Sequence, residues 1–320
     1  MREPGSRVAR TVPRVVVAVL AVSFVLVACG SDSKTGADGG SPRPRPATTA
    51  PPSPGRSAPD STAVAGPDPV IAAAGDIACP SSCTSTKTVG DMLVEGNYTA
   101  VLTLGDNQYE DGRLSEYTRS YDPTWGRVKD KTYPSPGNHD YHDANGAGYY
   151  AYFGSRAGPP GKGYYSYDIG TWHLLSLNSE ANIDAQLGWV KADLAVNHSR
   201  CTLAYWHKPI WTSGNTHRHD GEPMTAIWNA LVEGGADVVL NGHVHNYERF
   251  APRDGIRAFI VGTGGRDSHY GFAQTASLSE VRDNSTDGLL RLTLHPAGYD
   301  WRFLPVPGGT FSDAGAGTCR

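Results

Sequence analysis

His243 and His245 stand just past the apolar run Val238 Val239 Leu240, separated only by Val244 and preceded by Gly242. Neutral imidazole is the commonest protein ligand for metal ions, and a glycine that frees φ lets both rings turn toward one centre. Upstream, four more polar side chains hold the same position relative to an expected strand: Asp76 after residues 70–74, Asp106 after 100–104, Asn138 in the motif Gly137 Asn138 His139 Asp140, and His207 after 201–206. An Asp that follows Gly is a common turn residue when it occurs alone. Six such residues in order point instead to one shared rim, because ligands of α/β sheets bind at the carboxyl ends of strands. Carboxylates, an amide and imidazoles together make a mixed oxygen and nitrogen donor set of the kind that holds metal cations.

The elements that must position these residues follow from hydrophobic pattern. Residues 70–74 are small and apolar throughout, as expected of a strand buried on both faces. Residues 84–95 read as a helix with Val89, Met92 and Leu93 on one face and Gly96 as its stop. Strands are expected at 100–104, 171–177, 201–206 and 238–240. A helix carrying Ile183, Leu187, Val190 and Leu194 has one buried stripe. Another begins at Pro223 with Met224, Ile227, Trp228 and Leu231 in phase, and stops at Gly234 Gly235. Residues 141–170, rich in Tyr and Gly, read as a loop excursion at the site. Residues 257–261, 289–294 and 299–303 read as closing strands. The alternation predicts a single α/β layered domain over residues 69–320, with no internal linker.

Ahead of that domain, Arg2, Arg7, Arg10 and Arg14 precede a short apolar run, the pattern of an export signal over residues 1–28. Leu26 Val27 Ala28 Cys29 resembles the bacterial lipoprotein lipobox. That resemblance implies lipidation of Cys29 and anchoring on the outer face of the cell membrane, with plain secretion as the alternative. Residues 29–68, rich in Pro, Ser and Gly, read as a flexible tether. Cys79, Cys83, Cys201 and Cys319 then remain, an even number in an oxidising compartment, with three pairings open. The tight turn Pro80 Ser81 Ser82 favours Cys79 with Cys83, and so Cys201 with Cys319. Net charge is -4 and pI about 6.2. That balance carries no basic excess for nucleic acid and indicates no protein partner.

The ordered motifs Gly75 Asp76, Gly105 Asp106 Asn107 Gln108 Tyr109, Gly137 Asn138 His139 Asp140, Trp206 His207 and Gly242 His243 Val244 His245, with the trailing Tyr247 Glu248 Arg249, resemble the calcineurin-like dinuclear metallophosphoesterases. Within that superfamily they are most similar to the purple acid phosphatases. The resemblance covers residues 70–265 and implies a layered α-β-β-α sandwich with two metals at its rim. Many relatives place a metal-binding His two residues after the first Asp, where this chain has Ala78, and the purple acid phosphatases usually have Gly there. They also place a Tyr three residues after the second Asp, and Tyr109 stands there. The implied first set is Asp76, Asp106, Tyr109 and His245, and the second is Asp106, Asn138, His207 and His243. A phenolate suits iron(III), and the second set suits a divalent Zn, Mn or Fe.

The same resemblance implies hydrolysis of small phosphate monoesters by a hydroxide that the two metals hold, with Asp106 bridging them. Asn138, His139 and His217 would bind substrate. His139 and His217, the latter ten residues beyond His207, would also supply the leaving group's proton. His142 and His219 have no matching role and read as rim residues. Two other functions use the same ligand set: phosphodiester or nucleotide hydrolysis, and a surface lipoprotein that binds metal or phosphate without turnover.

Overall fold

Small apolar side chains let Val70–Ala74 (β1) and Ala100–Leu104 (β2) lie side by side with every residue of β2 buried. In the computed structural model, which describes residues 66–80 and 83–320, the two strands are parallel, with Ile71 opposite Ala100 and Ala74 opposite Thr103. The crossover is α1, Thr84–Glu95, which buries Val89 and Leu93; Gly96 closes it through its N–H to Met92 O at 3.0 Å. Then come α2 (Leu114–Glu116), β3 (Thr132–Ser135), α3 (Ala147–Phe153), β4 (Tyr165–Ile169) and β5 (Trp172–Ser176). Next are α4 (Ile183–Val196), β6 (Cys201–Trp206), α5 (Thr225–Glu233), β7 (Val238–Asn241), β8 (Tyr247–Phe250) and β9 (Arg257–Val261). The chain closes with β10 (Ser279–Asp283), β11 (Gly288–His295), β12 (Gly298–Pro305) and β13 (Ala314–Thr318).

These strands make two sheets, ordered β13-β12-β11-β1-β2-β3 and β10-β8-β9-β7-β6-β5-β4. Side chains of a strand alternate between faces, so β6 shows what each face covers. Leu203 and Tyr205 join the core that contains Ile71, Val101 and Leu290 of the other sheet. Ala204 and Trp206 join a second cluster with Ile227 and Leu231 of α5. The result is the expected α-β-β-α layering. A buried carboxylate ties the sheets together: Asp313 accepts from Tyr247 Oη and Arg249 Nε of β8, each at 2.7 Å, and from Trp301 Nε1 of β12 at 3.1 Å.

Residues 141–170 are not the loop that their Tyr and Gly content suggests. Tyr149, Tyr152 and Phe153 bury one side of α3 against Tyr117 and Tyr121, with Tyr117 stacked on Tyr152 at 4.8 Å between ring centres. Tyr165, Tyr167 and Ile169 alternate along β4, the edge strand that pairs with β5. Aromatic packing, which composition alone does not reveal, orders this stretch. The expected stripe on α4 is only part-buried: Val190 is fully covered, and the buried Gln186 bonds both backbone groups of Asn178. Cys79 pairs with Cys83, and Cys201 with Cys319. The expected signal peptide, Cys29 and the tether up to residue 65 lie outside the described residues. Among the described residues, no helix is long and apolar enough to cross a membrane.

Candidate metal centre

β1, β2 and β3 run parallel in one sheet, and β6 and β7 run parallel in the other, so each group presents its carboxyl ends together. Asp76, Asp106 and Asn138 follow the first three strands; His207 and the 243/245 pair follow the other two. The chain must turn sharply at each end. Asp76, Asp106 and His243 adopt φ of 61°, 47° and 71°. Non-glycine residues there cost of order 1–3 kcal/mol each and persist where the surroundings hold them. The glycines beside them are needed for close approach: a Cβ on Gly137 would lie 2.3 Å from Asp106 N, and one on Gly105 2.4 Å from His207 Nδ1.

All seven expected ligands are brought to this rim, and six of them touch one another. Tyr109 Oη lies 2.9 Å from Asp76 Oδ1, 3.0 Å from Asp106 Oδ2 and 3.1 Å from His245 Nε2. Asp106 Oδ2 is also 3.2 Å from His207 Nε2, which is 3.1 Å from His243 Nδ1. One carboxylate oxygen therefore faces both expected ligand sets. The other oxygen, Oδ1, accepts the N–H of His139 at 2.8 Å. Asn138, between Gly137 and His139, has a buried Oδ1 with no hydrogen-bond partner among the described residues.

The imidazoles are oriented from outside. His207 Nδ1 donates to the carbonyl of Leu104 at 2.8 Å, and His245 Nδ1 to that of Ser268 at 2.7 Å. A carbonyl only accepts, so each Nδ1 carries a proton and Nε2 turns inward. His243 is reversed: Nε2 meets Asp220 Oδ2 at 2.8 Å and Nδ1 points inward. This outer support is how metal-binding histidines are held. Ligands about 2.1 Å from a shared ion and at right angles to each other stand about 3.0 Å apart, close to these separations. An orphaned amide oxygen, inward ring nitrogens and two buried carboxylates fit a cation.

Charge points the same way. Burial pushes the Asp106 carboxyl up, but His207 and its hydrogen bond outweigh this, and the net shift is downward. Burial lowers His207, yet Asp106 carries it to about 10. Burial and the neighbouring His207 lower His243 to about 3. With no other cation, a proton on His207 offsets the charge of Asp106. Burial, Asp106 and Asp76 raise the Tyr109 phenol well above its usual range, so ionisation there needs a positive ion beside it.

His139 and His217 flank this cluster. The His139 ring is 4.3 Å from Tyr109, and its Nδ1 donates to Glu110 O at 2.7 Å. His217, at φ 59°, sits 4.3 Å from the His243 ring, with Nδ1 2.8 Å from Asp220 Oδ2. His142 shares the Glu110 carbonyl, and His219 pairs with Glu222 on the surface. Asp220, which joins His217 to His243, was missed by sequence reasoning. Its i, i+3 spacing from His217 is the signal that could have found it.

The sequence model of the calcineurin-like phosphoesterases matches residues 69–247. The chain belongs to the calcineurin-like phosphoesterase family. Family membership implies a dinuclear metal site. Among curated relatives, purple acid phosphatase 15 of Arabidopsis thaliana is 30% identical over 217 residues, covering 56% of this chain and 40% of that protein. Human acid phosphatase type 7 is 26% identical over 206 residues, covering 55% and 45%. The chain thus spans less than half the length of either relative. A purple acid phosphatase from yellow lupin (Lupinus luteus) seeds shares the fold, with a TM-score of 0.64 at 18% identity over 78% of this chain and 53% of that one.

Within the family's matched region, Asp140 holds the rim together. Its fully buried carboxylate accepts from Gly137 N (2.9 Å), Asn107 N (3.1 Å), Asn107 Nδ2 (2.9 Å), Gln108 N (3.2 Å) and Tyr117 Oη (2.5 Å). Removing it strands those buried donors, so Asp140→Ala should destabilise the fold by about 3 kcal/mol or more. Denaturant unfolding checks this; an unchanged midpoint contradicts it.

Proposed function

We propose that this chain hydrolyses phosphate monoesters with iron(III) on Asp76, Asp106, Tyr109 and His245, and a divalent Zn, Mn or Fe on Asp106, Asn138, His207 and His243. The observation that carries the reading is Asp106 Oδ2, which faces Tyr109 on one side and His207 on the other. When bound, two neighbouring cations lower the pKa of water and neutralise phosphoryl charge. The chain's residues do the rest. The inward ring nitrogens and Asn138 Oδ1 hold the donor geometry. His139 Nδ1 is occupied by Glu110 O and His217 Nδ1 by Asp220, which leaves each Nε2, when the ring carries its second proton, to donate to a phosphoryl oxygen or give that proton to the departing one. Asp220 fixes His217 and His243 together. Substrate is a small phosphate ester.

A panel of nitrophenyl phosphate and bis-nitrophenyl phosphate, with metal analysis and a visible spectrum of the same sample, tests this. Monoester preference and a visible band lost in Tyr109→Phe are expected. Diester preference transfers the reading to phosphodiesterase, no turnover at full metal removes the enzyme, and a colourless active wild type removes iron(III).

In the same reading the chain is exported and anchored on the outer face of the membrane through Cys29. Membrane fractionation checks this: Cys29→Ser should move to the soluble fraction, and its retention in the membrane contradicts the anchor.

A further inference from the structure

Past β9 the chain runs Gly262 Thr263 Gly264 Gly265 Arg266, and backbone contacts fix its course. Gly264 N–H donates to Gly75 O at 2.8 Å, and Arg266 N–H to Asp76 O at 2.9 Å. Gly265, at φ 128°, lies so near α1 that a Cβ would meet Thr86 Cα at 2.4 Å. This path delivers Arg266 onto Tyr109, its guanidinium carbon 4.7 Å from the ring centre, one ring away from the Asp76 and Asp106 cluster.

The contacts of that guanidinium are incomplete. Nη2 pairs with Glu110 Oε1 at 2.8 Å, and the Glu110 side chain is 51% exposed. Nε, on the same edge of the plane, is buried with no partner among the described residues. An exposed ion pair is weak, so Glu110 gives way readily to a better anion. A carboxylate or phosphate can take Nε–H and Nη2–H together, the bidentate pairing that Glu110 does not make here.

We infer that Arg266 determines specificity: it binds a second anionic oxygen group, carboxylate or phosphate, on the leaving group of the ester, and Glu110 is the anion it displaces. This rests on the ester-hydrolase reading above. It makes esters whose leaving group carries a second anionic group the preferred substrate class.

The test uses the metal-loaded full chain and two substrate pairs: para-carboxyphenyl phosphate against phenyl phosphate, and a propanediol bisphosphate against its monophosphate. The readout is the ratio of kcat/KM within each pair. A hydrogen bond to a charged group contributes about 1.5–3 kcal/mol, so Arg266→Gln should lower the ratio about tenfold or more, through KM. Arg266→Lys should fall between, and Glu110→Gln should raise the ratio. A drop in one pair only tells carboxylate from phosphate. Should the Arg266 variants fail to fold, Glu110→Gln decides alone. Ratios unchanged in the folded variants overturn the inference, because a residue that merely props Tyr109 would reduce both members of a pair equally. Wild type that turns over none of the four esters at full metal removes the hydrolase reading itself.

Discussion

One carboxylate oxygen, Asp106 Oδ2, faces two groups of donors at once, and that single placement governs what surrounds it. Asp76 and Asp106 are buried beside Tyr109, His207, His243 and His245. Ionised carboxylates held away from water need compensating positive charge. The remaining ring nitrogens of the three histidines are taken by Leu104 O, Ser268 O and Asp220, so the inward ones are free to meet a cation. In a metal-free chain the proton on His207 answers the same demand, and metal binding must displace it.

Such a cluster forms only because the scaffold holds it against its own preferences. The rim takes side chains from both sheets, and Asp313 bridges those sheets. Sharp turns at Asp76, Asp106 and His243 store strain that the flanking glycines and the Asp140 network contain. The same packing logic governs Arg266, which reaches Tyr109 only because Gly264 and Gly265 let the chain lie against β1 and α1.

Much of this was legible in the residues. β1, α1, β2 and β6 coincide with the expected ranges because each is a clean apolar or amphipathic run closed by a strong stop. Six of the seven expected ligands could be placed on one rim because each follows a strand's carboxyl end, where local spacing and sheet topology agree, and Tyr109 was added by the family resemblance alone. What escaped was set by distant contacts. α3 and β4 depend on aromatic packing across the chain. β13, Ala314–Thr318, is an edge strand of small residues without a hydrophobic signal. Asp220 and Arg266 gain their meaning from side chains 23 and 156 or more positions away in sequence, His243 and Glu110 respectively. For Arg266 no local pattern encodes that, and for Asp220 the i, i+3 spacing from His217 is the one local hint.

Anomalous diffraction from crystals of the metal-loaded protein is the most direct test of the central claim. The account predicts two peaks, one on each side of Asp106 Oδ2, the first against Tyr109 and His245 and the second against His207 and His243. A single peak, or none, in a fully folded and metal-saturated chain would contradict it.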